Sequence, residues 1–284
     1  MVQDVMVSVI IPTYNRAQYL NRAMDSVLDQ TRPPDELVIV DDGSTDNTPE
    51  LVEHAACRAA FPVRLLRRKN KGAAAARNVG IAHAAGNILC FLDSDDWWDR
   101  KKIELQLDAM HKNSDSIISH TREIWFRNGV RVNQKKKHAP GSGAIFADCL
   151  RMCVVGMSTV MVKKELFTEY GLFNEELPCC EDYDLWLRVA RNRPFLLVDH
   201  ALTLKEGGRE DQLSVIHRLG MDQYRIRSLC ALLDSGLLNE DQYRQTVTEL
   251  ERKCRIYGQG CIKHGRGQEG RRILALRDRY RALK

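Results

Sequence analysis

Two aspartates one residue apart, Asp93 and Asp95, end an apolar run in Ile88-Leu-Cys-Phe-Leu-Asp-Ser-Asp-Asp-Trp-Trp98. In extended backbone, residues i and i+2 point to the same side. Both carboxylates can therefore face one cleft. Carboxylates that share a site repel each other and call for a positive group. A hard divalent cation that also bridges phosphates answers that need. The competing reading is a polar turn after a strand. Asp41 and Asp42 likewise follow the apolar run Glu36-Leu-Val-Ile-Val40. A further acidic pair, Glu181-Asp182, opens a helical pattern, where acids also serve as caps and dipole partners.

The elements that must position these groups are legible in the periodicity. Val5 to Ile11 reads as a buried strand, ended by Pro12-Thr-Tyr-Asn-Arg16. A helix follows through about Leu28, with Leu20, Met24, Val27 and Leu28 at helical spacing. The next run stops at Asp41-Asp-Gly-Ser-Thr-Asp46, and a helix restarts near Thr48, where Pro49 suits a first helical position. Val63 to Leu66 is a third strand, leading to the loop Asn70-Lys-Gly72 and an Ala-rich helix through Gly80. Ile88 to Leu92 is the fourth. This β-α-β-α-β-α-β order predicts a mostly parallel sheet with helices on both faces. Ligands of such sheets bind beyond the carboxyl ends of the strands. Tyr14, Asn15, Asp41, Asp42, Asp93 and Asp95 all fall there.

Five segments resemble the family 2 glycosyltransferases: Val9-Ile-Ile-Pro-Thr-Tyr-Asn15, Val40-Asp-Asp-Gly-Ser-Thr-Asp46, Asn70-Lys-Gly with Ala76-Arg-Asn-Val-Gly80, Phe91-Leu-Asp-Ser-Asp-Asp96 and Glu181-Asp-Tyr-Asp-Leu-Trp186. The resemblance covers roughly residues 5–215. It implies an α/β GT-A fold and an inverting, metal-dependent transfer of sugar from a nucleotide-sugar donor to a hydroxyl. By the same resemblance Asp95 is the principal ligand of Mn²⁺ or Mg²⁺, with Asp93 near the ribose. Asp41 and Asp42 match the pair that reads the nucleobase. A uracil N3–H is a donor that a carboxylate can accept, which favours UDP. Pro12, Tyr14 and Arg16 would line base and ribose, and Lys71 and Arg77 would help neutralise the diphosphate.

Asp182 is the expected general base, with Glu181 second. One base and no identified nucleophile imply single displacement with inversion. Gly207-Gly-Arg-Glu-Asp-Gln-Leu-Ser214 resembles a segment in which His is common where Arg209 stands. Arginine cannot ligate a cation but can bind phosphate. The processive-synthase QxxRW signature is absent, which points to single-sugar addition. The rival readings are a catalytically inactive nucleotide-sugar-binding scaffold and a sugar nucleotidyltransferase. The latter's Gly-rich, Arg-containing N-terminal loop is missing, and intact Asp93, Asp95 and Asp182 argue against decay.

Composition narrows the class. The chain has 284 residues, 44% of them hydrophobic, enough for one large domain and an extension. No run approaches the roughly 20 apolar residues of a membrane span, and no signal peptide is evident. Nine cysteines without CxxC spacing read as reduced thiols. A cytoplasmic protein is expected, at most peripheral at the inner membrane face.

The expected domains are 1–215, catalytic, and 216–284, a basic helical extension of about three helices broken at Ser235-Gly236 and Gly258–Gly270. The tail holds 15 Lys and Arg against 8 Asp and Glu, a balance of +7, whereas residues 1–215 carry −2. A basic face can draw a protein to anionic lipid. The tail is expected to dock on membrane, or to pack on the catalytic domain or a second subunit as a homo-oligomer contact. No nucleic-acid module is present. Gly265-Arg-Gly-Gln-Glu-Gly270 matches G-x-G-x-x-G but follows a helix and leaves no room for a βαβ unit.

In the second half, Lys101 to Met110 reads as a helix, and Ser116–Ser119 and Thr121–Phe126 as two short strands. Asn128-Gly129 reads as a hairpin turn. Arg131 to Gly143, with Lys135-Lys-Lys137, reads as a mobile loop. Val154 to Met161 reads as a strand, Lys164 to Tyr170 as a helix ending at Gly171, Glu181 to Arg191 as a helix, and Phe195 to Val198 as the last strand. The acceptor, a glycan or glycolipid of polysaccharide or cell-surface synthesis, is expected from the family resemblance.

Overall fold

A computed structural model describes residues 5–135 and 138–281. The first half alternates strand and helix as the periodicity predicts: β1 (Val7–Thr13), α1 (Ala17–Leu28), β2 (Glu36–Asp41), α2 (Thr48–Arg58), β3 (Val63–Arg67), α3 (Ala73–His83) and β4 (Ile88–Phe91). These four strands are parallel, in the order β3-β2-β1-β4. Side chains of β1 alternate between two cores. Val7, Val9 and Ile11 pack with Leu20, Met24 and Val27 of α1, and Ile10 packs on the opposite face with α3. Burial on both faces is why β1 reads as an unbroken apolar run rather than an alternating one.

The second half extends the sheet with mixed polarity. It runs β5 (Asp96–Trp98), α4 (Lys102–Lys112), β6 (Ile118–Arg127), β7 (Val130–Val132), α5 (Phe146–Arg151), a 3₁₀ turn (Met157–Thr159), β8 (Met161–Lys163), α6 (Glu165–Tyr170), α7 (Glu181–Ala190) and β9 (Leu196–Gly207). β8 is antiparallel to β4 and β6, β9 lies parallel to β6, and β5 closes the edge against β9. The continuous parallel stretch is thus the first four strands, and β6 with β9 is a further parallel pair in the second half.

Three expectations change here. The two short strands at 116–126 are one ten-residue strand, β6, whose register shifts around Arg122. A bulge hides the continuity, because it interrupts the alternation that marks a strand. The strand expected at 154–161 is irregular backbone around the 3₁₀ turn, and only its last residue, Met161, enters the sheet, as the start of β8. The last strand continues nine residues past Val198, to Gly207. The polar stretch beyond Val198 contains Asp199 and His200, which are exposed and mask it. The turn at Asn128-Gly129 forms, with φ of 51° and 74°, as a type I′ hairpin requires. β7 takes up the start of the segment read as a loop. Of the run Lys135-Lys-Lys137, Lys136 and Lys137 lie outside the described residues.

After α8 (Leu213–Ile216) come α9 (Met221–Asp234), α10 (Glu240–Lys263) and α11 (Gly267–Arg281). α10 runs through Gly258 and Gly260 and stops only at Lys263. Its start is a full capping box, Asn239 with Gln242, which satisfies two backbone donors reciprocally. Ile226, Leu229, Val247, Leu250, Cys254, Ile273 and Tyr280 join the same core as Ile10 and Phe91. Lys253, almost fully buried, donates to the Arg151 carbonyl at 3.1 Å and faces Glu249 at 3.1 Å. The basic extension therefore packs on the sheet domain.

One glycine sets the height of α3 above β1. A Cβ on Gly80 would lie 2.4 Å from Ile10 Cγ2. Gly80→Ala gains about 1 kcal/mol of helix propensity, yet overpacking costs about 1–3 kcal/mol. Urea unfolding is expected to show net destabilisation. Ile10→Ala removes the obstructing methyl, so the double variant loses less than the sum of the singles. Additive losses would mean that Ile10 and Gly80 do not meet.

Candidate active site

The carboxyl ends of β1, β2 and β4 carry the predicted residues. Pro12, the next-to-last residue of β1, is buried, and Tyr14 just beyond the strand is 46% exposed. Asn15 holds a φ of 49°, a costly conformation for a residue with a side chain. It is fixed there by Ser44 Oγ on its N–H (2.9 Å) and by its Oδ1 accepting from Thr45 N at 2.8 Å. Arg16 pairs with Asp211 and also donates to its carbonyl at 2.7 Å.

Asp41 is buried and accepts from Ser44 N (2.7 Å) and Arg67 Nε (3.1 Å). Asp42 accepts from the backbone of Lys71 and from Gly72 N at 2.7 Å, with Arg68 Nε at 3.1 Å. Burial pushes the Asp42 carboxyl up, against those donors and Arg68. The pair thus fastens the loop entering α3, and Lys71 leaves its side chain exposed. Gly72 adopts φ 93° at this point, which glycine takes without strain.

The end of β4 is the crowded part. Arg77, on α3 and buried, forms two charge-assisted bonds: NH2 to Asp93 Oδ1 at 2.7 Å and NH1 to Glu181 Oε1 at 2.5 Å. Burial alone would raise Asp93, but Arg77 and Lys205 hold its carboxyl below the ordinary range. Glu181 goes the other way. Its burial, with Asp182 adjacent, outweighs Arg77 and raises it.

Asp95 pairs with Arg209, whose guanidinium stacks 4.2 Å from the Tyr19 ring centroid; Gln212 Nε2 lies at 3.4 Å. Arg22 donates to the Asp95 carbonyl at 3.1 Å and lies 3.6 Å over Trp97. Asp96 accepts from Ser158 Oγ at 2.6 Å and faces Lys205 Nζ at 3.6 Å. Burial, with Asp95 and Asp93 nearby, pushes it well up despite Lys205. Lys205 also faces Glu123 at 3.6 Å. Burial would lower this lysine, but Glu123, Asp96, Asp93 and Asp95 together raise it, so it stays charged.

Asp182 stands at the start of α7, where Cys180 takes φ 66°. Tyr183 OH to Leu150 O (2.7 Å) and Trp186 Nε1 to Val155 O (3.0 Å) fix the helix. The Cys153 thiol lies 3.1 Å from Asp182 Oδ2. Burial and Asp182 both push that thiol up, so it remains a protonated donor. Asp182 is half-buried and, unlike Glu181, makes no ion pair among the described residues.

The structure brings together Arg77, Asp93, Glu181 and Asp182 on one side and Asp95 with Arg209 on the other. It also adds groups that the sequence reading left out: Tyr19, Arg22, Arg68, Cys153, Ser158, Lys205 and Gln212. Gln212 stood in the quoted Gly207–Ser214 segment, but Cys153 and Lys205 carry no sequence signal of their own. Among the described residues, no group of three His, Cys, Asp or Glu could hold a metal.

An open α/β sheet with carboxylate pairs at its strand ends and an acidic helix start opposite defines the GT-A class of glycosyltransferase. The sequence profile of "Glycosyl transferase family 2" matches residues 8–171, and the chain belongs to that family. It is 39% identical over 206 residues to an uncharacterized glycosyltransferase of Rickettsia felis, covering 70% of this chain and 33% of that one. The chain thus spans about one third of the length of that relative. Similarity to the putative teichuronic acid biosynthesis glycosyltransferase TuaG of Bacillus subtilis is 36% identity over 187 residues, 66% of this chain and 72% of TuaG. The Escherichia coli UDP-Glc:alpha-D-GlcNAc-diphosphoundecaprenol beta-1,3-glucosyltransferase WfgD is 33% identical over 192 residues, 66% of this chain and 71% of WfgD. The fold resembles S. aureus TarS 1-349 in complex with UDP-GlcNAc, with a TM-score of 0.74 at 20% identity, covering 96% of this chain and 79% of that one. It also resembles the mannosyltransferase PcManGT of Pyrobaculum calidifontis in complex with GDP-Man and Mn²⁺, with a TM-score of 0.62 at 18% identity, covering 99% and 84%.

Lys205 holds the acidic cluster together. Lys205→Met leaves Asp96 and Glu123 without their cation. A fully buried pair would lose about 3–5 kcal/mol. Lys205 is partly solvated (28% side-chain exposure), so a loss on the order of 2 kcal/mol is expected at pH 8. Asp96 has a raised folded pKa, so its ionisation costs stability as pH rises through that value. The deficit should therefore shrink as the pH falls towards 5. Urea unfolding at the two pH values reads it, and an equal deficit at both would rule out the linkage.

Proposed function

We propose that the chain transfers a sugar, with inversion, from a UDP-sugar to a hydroxyl of a glycan or glycolipid acceptor in polysaccharide or cell-surface glycan synthesis. The observation that carries this reading is the Arg77 bridge. Its two arms bring the Asp93 carboxylate of the donor end and the start of α7 within one guanidinium's span. A leaving diphosphate and an acceptor base must lie about that close for in-line displacement. The named substrates of WfgD and the UDP-GlcNAc seen with TarS support a UDP donor and a lipid-diphosphate type of acceptor.

Asp182 is the proposed general base. Its partner Glu181 is bound to Arg77, which leaves Asp182 to accept the acceptor's proton on Oδ2 or Oδ1. The Cys153 thiol orients it. In this reading Asp42 meets the nucleobase once its bonds to the 71–72 backbone yield, with Pro12, Tyr14 and Arg16 along base and ribose. In this reading Lys71 and Arg209 neutralise phosphate oxygens.

The donor set fits a hard cation only as a shared site. Asp95, with Asp93 beside it, offers carboxylate oxygens once Arg209 turns from Asp95 to the phosphates, and the remaining ligands must be diphosphate and water. The Mn²⁺ bound with GDP-Man in the PcManGT structure supports such a site. A bound Mn²⁺ or Mg²⁺ would supply Lewis-acid stabilisation of the leaving group.

Two variants test these roles. Asp182→Asn should retain UDP affinity by calorimetry yet lose transfer by roughly 10²-fold or more; normal turnover would move the base elsewhere. Asp95→Ala should lose Mn²⁺-dependent UDP binding with the fold intact by circular dichroism. Tight binding of both by that variant would overturn the metal assignment.

A further inference from the structure

Strands β6 and β9 run parallel and end together, with Arg127 opposite Gly207. Two segments leave from that end. The β6–β7 hairpin and its exit carry Arg127, Arg131 and Lys135, all exposed, and residues 127–135 contain no Asp or Glu. Val130 at the hairpin is 67% exposed. The second segment, 208–219, begins with Arg209 and Gln212, which hold Asp95, and continues into Leu213, Val215, Ile216 and Leu219. These four are 43%, 36%, 59% and 92% exposed. The two segments touch: the Gly129 N–H donates to Glu206 at 3.1 Å, and a Cβ on Gly208 would meet the Arg127 side chain.

Single exposed aliphatic residues mean little. Five of them on adjoining segments, beside three cations, have the composition of a surface that inserts at a lipid interface and is held there by anionic headgroups. Acids near the strap are largely engaged. Asp211 is held by Arg16 and Arg209, and Glu206 faces Arg22 at 3.7 Å. Exposed Glu210 is offset by exposed Arg218.

The C-terminal tail is less suited to this role than its +7 balance suggests. Arg279 pairs with Asp234, Arg266 with Glu269 and Arg277 with Asp278, while Ile273 and Tyr280 are buried against the body. We propose that the hairpin 127–135 and the strap 208–219 form the surface that docks on an anionic lipid bilayer. The docking places the donor end of the sheet at the membrane. Its catalytic purpose rests on the reading of the acceptor as membrane-borne.

Co-sedimentation of the full chain with phosphatidylglycerol-containing vesicles tests it, with phosphatidylcholine vesicles as control. Binding should be selective for the anionic vesicles and fade as salt rises. Ile216→Ser/Leu219→Ser and Arg131→Glu/Lys135→Glu should each weaken it roughly fivefold or more. Arg271→Glu/Arg272→Glu should leave it unchanged. UDP binding, measured by calorimetry on every variant, reports the donor site separately, so failure of the transferase reading and failure of docking are distinguishable. No anionic binding at low salt, loss of binding with the tail variant alone, or a strap that instead mediates a dimer in sedimentation velocity would overturn the proposal.

Discussion

The site depends on one buried guanidinium. Arg77 reaches from α3 to Asp93 at the end of β4 and to Glu181 at the start of α7. The three residues lie 16 and 104 positions apart along the pairings, so this contact joins the half proposed to bind the nucleotide to the half that carries the proposed base. Burial would lower its pKa, but the two carboxylates raise it, so Arg77 remains charged. Removing Arg77 would leave two carboxylates without their cation, one of them the buried Glu181, which is costly. Gly80, one turn further along α3, matters for the same reason: it lets the helix lie close enough on Ile10 for Arg77 to reach both partners.

Around that bridge, every carboxylate of the β4 end has a different neighbour. Asp93 has Arg77, Asp95 has Arg209 and Gln212, and Asp96 has Ser158 and Lys205. Three carboxylates and three cations balance at short range, and the balance sorts the acids. Asp93 is held ionised, whereas burial pushes Asp96 up. In the proposed reaction an arriving diphosphate would compete with Asp95 for Arg209. Arg209 stacks on Tyr19, whereas Arg77 is enclosed, which is the reason for proposing Arg209 as the group that exchanges. The strap that carries Arg209 also carries Leu213 to Leu219, so the proposed donor contact and the proposed lipid contact share one segment.

Much of the first half was legible in the sequence because local pattern and tertiary position agree there. Alternating apolar runs, Pro49 at the start of α2 and the Ala-rich α3 each specify their element without help. The second half was less legible. A bulge splits β6, a 3₁₀ turn replaces the expected strand at Met157, and exposed Asp199 and His200 disguise the middle of β9. The acidic motifs were visible as candidates, yet their partners were not. Lys205 and Cys153 are ordinary residues until the sheet edge and α7 bring them to Asp96 and Asp182. Long-range pairing of that kind leaves no periodic trace.

The central claim is that Arg77 couples the two halves of the site. A double-mutant cycle on Arg77→Met and Glu181→Gln, read by urea unfolding and by UDP calorimetry on the same samples, tests it most directly. Arg77→Met alone should be strongly destabilised and bind UDP weakly. Glu181→Gln in that background should restore part of the stability, with a coupling of about 1–3 kcal/mol, while UDP affinity stays low because Asp93 remains unpaired. A coupling near zero, or unchanged UDP affinity in Arg77→Met, would contradict the account.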